Sequence, residues 1–220
     1  PWRESIAEVV TVPEDASGHV DLAALEAALV RYADRPLLIG SFSAASNVTG
    51  ILSDTAGISR LLHEHGALAF WDCAAAAPYV DIEMYGDGPG EHKDAVFISP
   101  HKFVGGPSTP GVLVVRRELL TNRVPDVPGG GTVAYVNTDD HRYLDDPEQR
   151  EEGGTPAIID SIRAGVVFAL KDAVGTAVIR EREEDFLRRV RATWATEPAI
   201  EILGNPEAER LSIMSFVVRS

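Results

Sequence analysis

The sequence predicts an α/β protein built on a mostly parallel sheet with helices on both faces, followed by part of a smaller α+β unit. Three observations predict it. Residues 67–71 and 95–98 are uninterrupted apolar runs, and a strand covered on both sides needs no polar alternation. Each run ends in polar groups, Asp72 in the first case and Ser99, His101 and Lys102 in the second. Helical patterns fall between strand-like runs, and the last part of the chain alternates a charged helix with short apolar segments.

Taken in order, residues 6–12 β-branch like a strand, and residues 13–18 supply turn chemistry. Asp21 is positioned to cap a helix whose Leu22, Leu25, Ala28 and Leu29 form one apolar face. Residues 36–42 read as a buried strand that empties into a small-polar loop, 43–50, which contains Asn47. Ser53 or Asp54 opens the next helix, with Ile58, Leu61 and Leu62 inward and Gly66 at its end.

His63 and His65 lie near that helix's carboxyl end. Two positions apart, they do not share a face, so they read as solvated residues and no metal site is expected. Strand, helix and strand are expected through residues 67–98, with a Gly/Pro-rich acidic surface loop at 84–94. Residues 103–110 form a tight loop before a strand at 111–115. Residues 121–152 lose periodicity, and a loop of that length is expected to serve a site or an interface. Pro156 opens a helix carrying Ile158, Ile159, Ile162, Val166 and Leu170, and a second helix runs from about Thr176 to Trp194. Strands are expected at 200–203 and 211–218. The boundary between the two units falls near Asp172 to Thr176, giving 1–174 and 175–220.

Composition narrows the function. With 45% hydrophobic and 25% charged residues the chain has ordinary globular proportions. No membrane span is expected, because no apolar run is long enough to cross a bilayer. A formal net charge of −14 argues against nucleic acid, whose phosphates demand clustered Lys and Arg. The single cysteine, Cys73, permits no internal disulfide and points to a reducing cytoplasm. The chain starts at Pro1 rather than methionine, as an excised piece of a longer protein would.

Strand ends that deliver polar groups to one rim of an α/β sheet define a ligand crevice. A lysine desolvated there loses its proton more readily than in water, and a neutral amine attacks aldehydes. If the aldehyde is pyridoxal phosphate, the site needs an imine-forming lysine, a carboxylate for the pyridine nitrogen and donors for the phosphate. Lys102, Asp72 and the Ser99/His101 pair answer those needs. Lys93, in the acidic loop, and Lys171, at a helix end, follow no buried strand.

At these residues the sequence resembles the class V aminotransferase family. The similarity rests on Asp72-Cys73-Ala74-Ala75, on Ser99-Pro100-His101-Lys102, and on Gly105-Gly106-Pro107 with Gly111-Val112-Leu113. Ser46-Asn47-Val48-Thr49-Gly50 upstream and Glu152-Gly153-Gly154-Thr155-Pro156 downstream also match. Within the family the chain is most similar to the branch of cysteine desulfurases and selenocysteine lyases.

The resemblance implies a fold-type-I large domain with an antiparallel strand at 111–115, a partial small domain and a homodimer. It implies a pyridoxal 5′-phosphate enzyme acting on a small amino acid through a Lys102 Schiff base. Asp72 would pair with the pyridinium and Ser99 and His101 with the phosphate. Asn47 would lie beside cofactor and substrate, and Thr155 would reach the partner subunit's cofactor. At Ala75 and Tyr79, where the desulfurases commonly carry glutamine and histidine, the sequence departs from the pattern. An aminotransferase or isomerase would use the same lysine and aspartate, and a non-catalytic dimerisation module would keep only the fold.

Overall fold

The computed structural model describes residues 2–219. After a short 3-10 turn at Trp2–Glu4, helix α1 (Leu22–Arg31) starts where Asp21 accepts a hydrogen bond from the Ala24 N–H, and buries Leu25 and Leu29. Strand β1 (Ile39–Ser43) follows, then helix α2 (Thr55–Glu64), capped by Asp54 through the Gly57 N–H. Strands β2 (Leu68–Asp72), β3 (Ala95–Ile98) and β4 (Val112–Val115) complete one sheet in the order β1-β2-β3-β4. The first three strands are parallel and β4 is antiparallel.

One sheet face carries Ala69, Trp71 and Val96, all fully buried. There α2 packs, and the Trp71 indole donates to the Ser59 hydroxyl at 2.9 Å, so the largest core residue satisfies its polar edge inside. Leu25, Leu29, Ile58, Leu62, Phe103, Val167 and Leu211 close the same core. The opposite face, from the strand registers, carries Ser41, Ser43, Phe70, Asp72 and Phe97. Trp2 covers part of it, tilted against Phe70 and donating its indole N–H to Ser41 Oγ at 3.0 Å.

Downstream, β5 (Val133–Val136) and β6 (His141–Tyr143) form a hairpin, and helix α3 (Pro147–Glu151) is capped by Asp146. The periodicity-poor stretch is therefore not structureless. Arg150, buried, holds it together by donating to the carbonyls of Asn122, Leu144 and Asp145. Helices α4 (Ile158–Val174) and α5 (Thr176–Trp194) are separated at Gly175, and β7 (Ile200–Ile202) pairs antiparallel with β8 (Phe216–Val218).

Several expectations change. Residues 6–12 form no strand, since no neighbouring chain pairs with them, and Ile6, Val9 and Val10 are exposed. β1 is an edge strand with only Gly40 buried, so the run at 36–42 is not a core strand. Between β2 and β3 there is no helix; residues 74–79 are turns. The strand expected at 211–218 is confined to its last part, because residues 209–211 pair with the 50–52 segment instead. α4 starts two residues after Pro156, and it buries Ala164 and Val167. Ile158, Ile159, Ile162, Val166 and Leu170 form an apolar row with no cover among the described residues.

Candidate active site

The carboxyl ends of β1, β2 and β3 lie side by side. Ser43 is in register with Asp72, and Asp72 with Phe97. The rim continues past the strands, where the Ala44 N–H donates to the Asp72 carbonyl at 2.8 Å and the Cys73 N–H to the Phe97 carbonyl at 2.9 Å. Parallel strands lie about 4.8 Å apart, so what these three ends carry falls within the reach of one small ligand.

Asp72 is exposed at this rim. Its Oδ1 accepts from the Ala74 N–H at 2.8 Å, which fixes the carboxylate and leaves Oδ2 as the acceptor for a ligand. Past Ser99, residues Pro100–Lys102 form a 3-10 turn closed by Lys102 N–H to the Ser99 carbonyl at 3.0 Å. Phe103 anchors the turn. Its ring is buried edge-on against Phe168 of α4, with centroids 5.0 Å apart, while His101 and Lys102 remain exposed. The next turn folds so tightly that a Cβ on Gly106 would stand 2.0 Å from the Pro100 carbonyl oxygen. Only glycine fits, so close backbone packing joins the Phe103 side chain in fixing the geometry behind Lys102.

Asn47 stands exposed at the tip of a turn beyond β1. Ser46 builds that turn, its hydroxyl accepting from the Val48 and Thr49 N–H groups and its carbonyl from the Gly50 N–H at 2.9 Å. The structure thus places Asp72 at the carboxyl end of β2, Ser99 directly after β3 with His101 and Lys102 in the turn that follows, and Asn47 in the turn beyond β1. Thr155 is exposed on a segment pinned by the Gly154 N–H to the Gly130 carbonyl at 2.7 Å. That segment leads into α4, which packs on the Lys102 turn.

The chain has three lysines, and two are already employed. Lys93 is buried, its Nζ donating to the Glu83 carbonyl at 2.6 Å, and burial pushes its pKa down. Lys171 Nζ donates to the carbonyls of Ala77 at 2.8 Å and Val80 at 2.5 Å. Lys102 alone is exposed at the rim. Cys73 is fully buried and its thiol is pushed up to about 11, first by burial, which suits a packed residue rather than a nucleophile.

The chain matches the sequence profile of the family described as aminotransferase class-V over residues 2–220. The chain belongs to the class V aminotransferase family. Among the family's curated members, a probable cysteine desulfurase of Halobacterium salinarum is 29% identical over 217 residues, covering 98% of this chain and 49% of that protein. Probable cysteine desulfurase 2 of Mycobacterium leprae is 28% identical over 225 residues, covering 99% and 50%. The chain spans about half the length of the curated relatives it matches. The apo cysteine desulfurase of Thermococcus onnurineus superposes with a TM-score of 0.80 at 24% identity, over 94% of this chain and 49% of the other, which establishes the shared fold. That fold, a mixed and mainly parallel sheet with packed helices, is the one the sequence predicts.

Away from the rim, the sequence reading missed a polar cluster at the amino edge of the sheet. His63 is not solvated. Its Nε2 lies 2.8 Å from Asp94 Oδ2 and its Nδ1 2.6 Å from the Gly90 carbonyl. Asp94 is fully buried, so the 84–94 segment is a surface loop only until its last residues. Metal-type atoms of His63, His92 and Asp94 lie within 4.8 Å of one another, the only such group among the described residues. The two rings are stacked at 4.0 Å and 10°, so no ion lies in both ring planes at once. Arg116 supplies the positive charge instead, 3.0 Å from Asp94 Oδ1 and 3.2 Å from His92 Nε2. Only the spacing between distant residues reveals this cluster, which is why helix periodicity did not.

Proposed function

We propose that this chain is the cofactor-bearing part of a pyridoxal 5′-phosphate enzyme that acts on a small amino acid, most closely a cysteine desulfurase or selenocysteine lyase. The observation that supports it is the exposed amine of Lys102 just past the carboxyl end of β3, the strand paired with the one that ends in Asp72, the other two lysines being bound to carbonyls. The donor set fits the group: a fixed carboxylate for the ring nitrogen, a hydroxyl and an imidazole for the phosphate, and one amine for the aldehyde.

When bound, the cofactor supplies the electron sink that makes an amino acid's α-proton removable. The chain's own groups do the rest. Asp72 would accept the pyridinium N–H and balance the ring's charge, a charge-assisted bond. Ser99 and His101 orient the phosphate end, and Asn47 orients the substrate with an amide that both donates and accepts. Lys102 would hold the cofactor through its amine and would be the base for the α-proton. Thr155, exposed, would act across a homodimer. Residues 1–174 would then be large domain and 175–220 the start of the small one, in a protein of the cytoplasm. The 220 residues alone, about half the relatives' length, are expected to be inactive.

The test uses the full-length protein. Loaded with pyridoxal phosphate, it should turn yellow, yield a borohydride-fixed adduct mapping to Lys102, and, with dithiothreitol present to reduce the released sulfur, give alanine and sulfide from cysteine. Lys102→Ala should abolish the adduct. An adduct without sulfide would leave the cofactor reading standing and remove the desulfurase one, and a colourless protein would remove both.

A further inference from the structure

The turn that presents Asn47 does not hold itself. On one side the Ala44 N–H ties it to Asp72, and on the other it is zipped to a segment far away in sequence, residues 209–215. The Leu52 N–H donates to the Glu209 carbonyl at 3.0 Å and the Leu211 N–H to the Gly50 carbonyl at 2.9 Å, with Ile51 and Arg210 paired antiparallel between them. Ser215 Oγ donates to the Val48 carbonyl at 2.7 Å, one residue from Asn47.

The fit is close. Gly50 has φ +76°, and a Cβ there would stand 2.7 Å from the Ile213 carbonyl oxygen and 2.9 Å from that of Leu211. Leu211 is fully buried in the core beneath. The segment is fixed in turn by α5, where Glu183, buried, accepts from the Ser212 N–H at 3.1 Å and from its hydroxyl. Arg180 reaches the Arg210 carbonyl and the Glu209 carboxylate. On the far side the Leu203 N–H, just past β7, donates to the Ser215 carbonyl at 2.8 Å.

We propose that residues 209–215 are a positioning strap for Asn47, with Ser215 and Glu183 as positioning residues that act through the 46–52 turn. The strap joins the α5 and β7–β8 unit to the substrate side of the rim, so a shift of that unit moves Asn47 before it moves anything on β2 or β3. The role of Asn47 rests on the function proposed above; the mechanical link does not.

Two measurements separate these. In the cofactor-free full-length protein, hydrogen exchange at the Gly50 and Leu52 amides should speed up by about five-fold in Ser215→Ala, the worth of one net hydrogen bond, and by a similar factor in Glu183→Gln. His63→Ala, at the opposite edge of the sheet, should leave those amides unchanged. Unchanged exchange in both strap variants overturns the proposal, as does equal acceleration in His63→Ala, which would mean general loosening. In the loaded protein the strap variants should raise KM for the amino acid several-fold while holding kcat within two-fold. They should also shift the amino-acid titration of the cofactor's visible band by the same factor. Faster exchange with unchanged KM and titration overturns the link to Asn47. A wild-type protein that takes no cofactor overturns the proposed function, and the exchange measurement still decides the strap.

Discussion

Replacing Asp94 by alanine should be among the costlier single changes in this chain. The carboxylate is fully buried and accepts three bonds: from the Ala69 N–H at 2.7 Å, from His63 Nε2 at 2.8 Å and from Arg116 Nη1 at 3.0 Å. Arg116 has 41% of its side chain exposed and can turn to Glu118 and water, so its share is discounted. The Ala69 N–H cannot, and leaving it without an acceptor costs about 1–3 kcal/mol. His63 is 16% exposed, and its bond to a charged partner adds about 1.5–3 kcal/mol. The total, about 2.5–6 kcal/mol, brackets what breaking a buried pair costs. It should lower Tm by roughly 5–24 °C for a domain of this size. Asp94→Asn keeps an acceptor for the Ala69 N–H and can aim its amide at the mobile Arg116, so it should lose about 2 kcal/mol. Urea titration of the three proteins gives the numbers. A loss below about 1 kcal/mol for the alanine variant, or equal losses for both, would refute the assignment of Asp94 as the anchor of this edge.

The same carboxylate gives a pH dependence. Burial pushes Asp94 up, but bonds from His63, the Ala69 N–H and Arg116 outweigh it and hold the group below the ordinary aspartate value. Its contribution is therefore complete above about pH 5 and lost as pH falls through and below about 3.9; in Asp94→Asn the acid limb of a stability-against-pH curve should flatten. Cys73 should resist thiol alkylation at pH 8 in the native protein and react fully in denaturant, since it is buried and its thiol is pushed up to about 11; prompt native labelling would contradict the packing. Trp71→Phe should cost about 1–3 kcal/mol by leaving the Ser59 hydroxyl buried without its partner, measured by thermal melting. Gly50→Ala should cost more than a typical surface change, because a Cβ there meets two strap carbonyls; a neutral result would show that the turn and strap separate easily.

Local chemistry with a period or a cap is legible in the residues alone. Asp21 and Asp54 start helices because a short carboxylate before an apolar face has nearby N–H groups to accept from, and Gly66 ends one. The runs ending in Asp72 and Ser99 were legible as strands because continuous apolar residues have nowhere else to go than a covered sheet. Parallel neighbours end at the same rim, and the two runs do pair in parallel, Asp72 in register with Phe97. Tertiary structure decided everything that depends on partners distant in the chain. Residues 6–12 have strand composition and no strand to pair with, and 36–42 became an edge rather than a core strand. That Lys93 and Lys171 are bound to backbone carbonyls, and Lys102 is not, depends on which carbonyls the fold brings to their amines. His63 looked solvated by its place on α2 until the end of a distant loop put Asp94 against it, and no pattern within the 43–52 turn reveals that residues 209–215 hold it. Periodicity records which face of an element is buried; it carries no information about which other element does the burying.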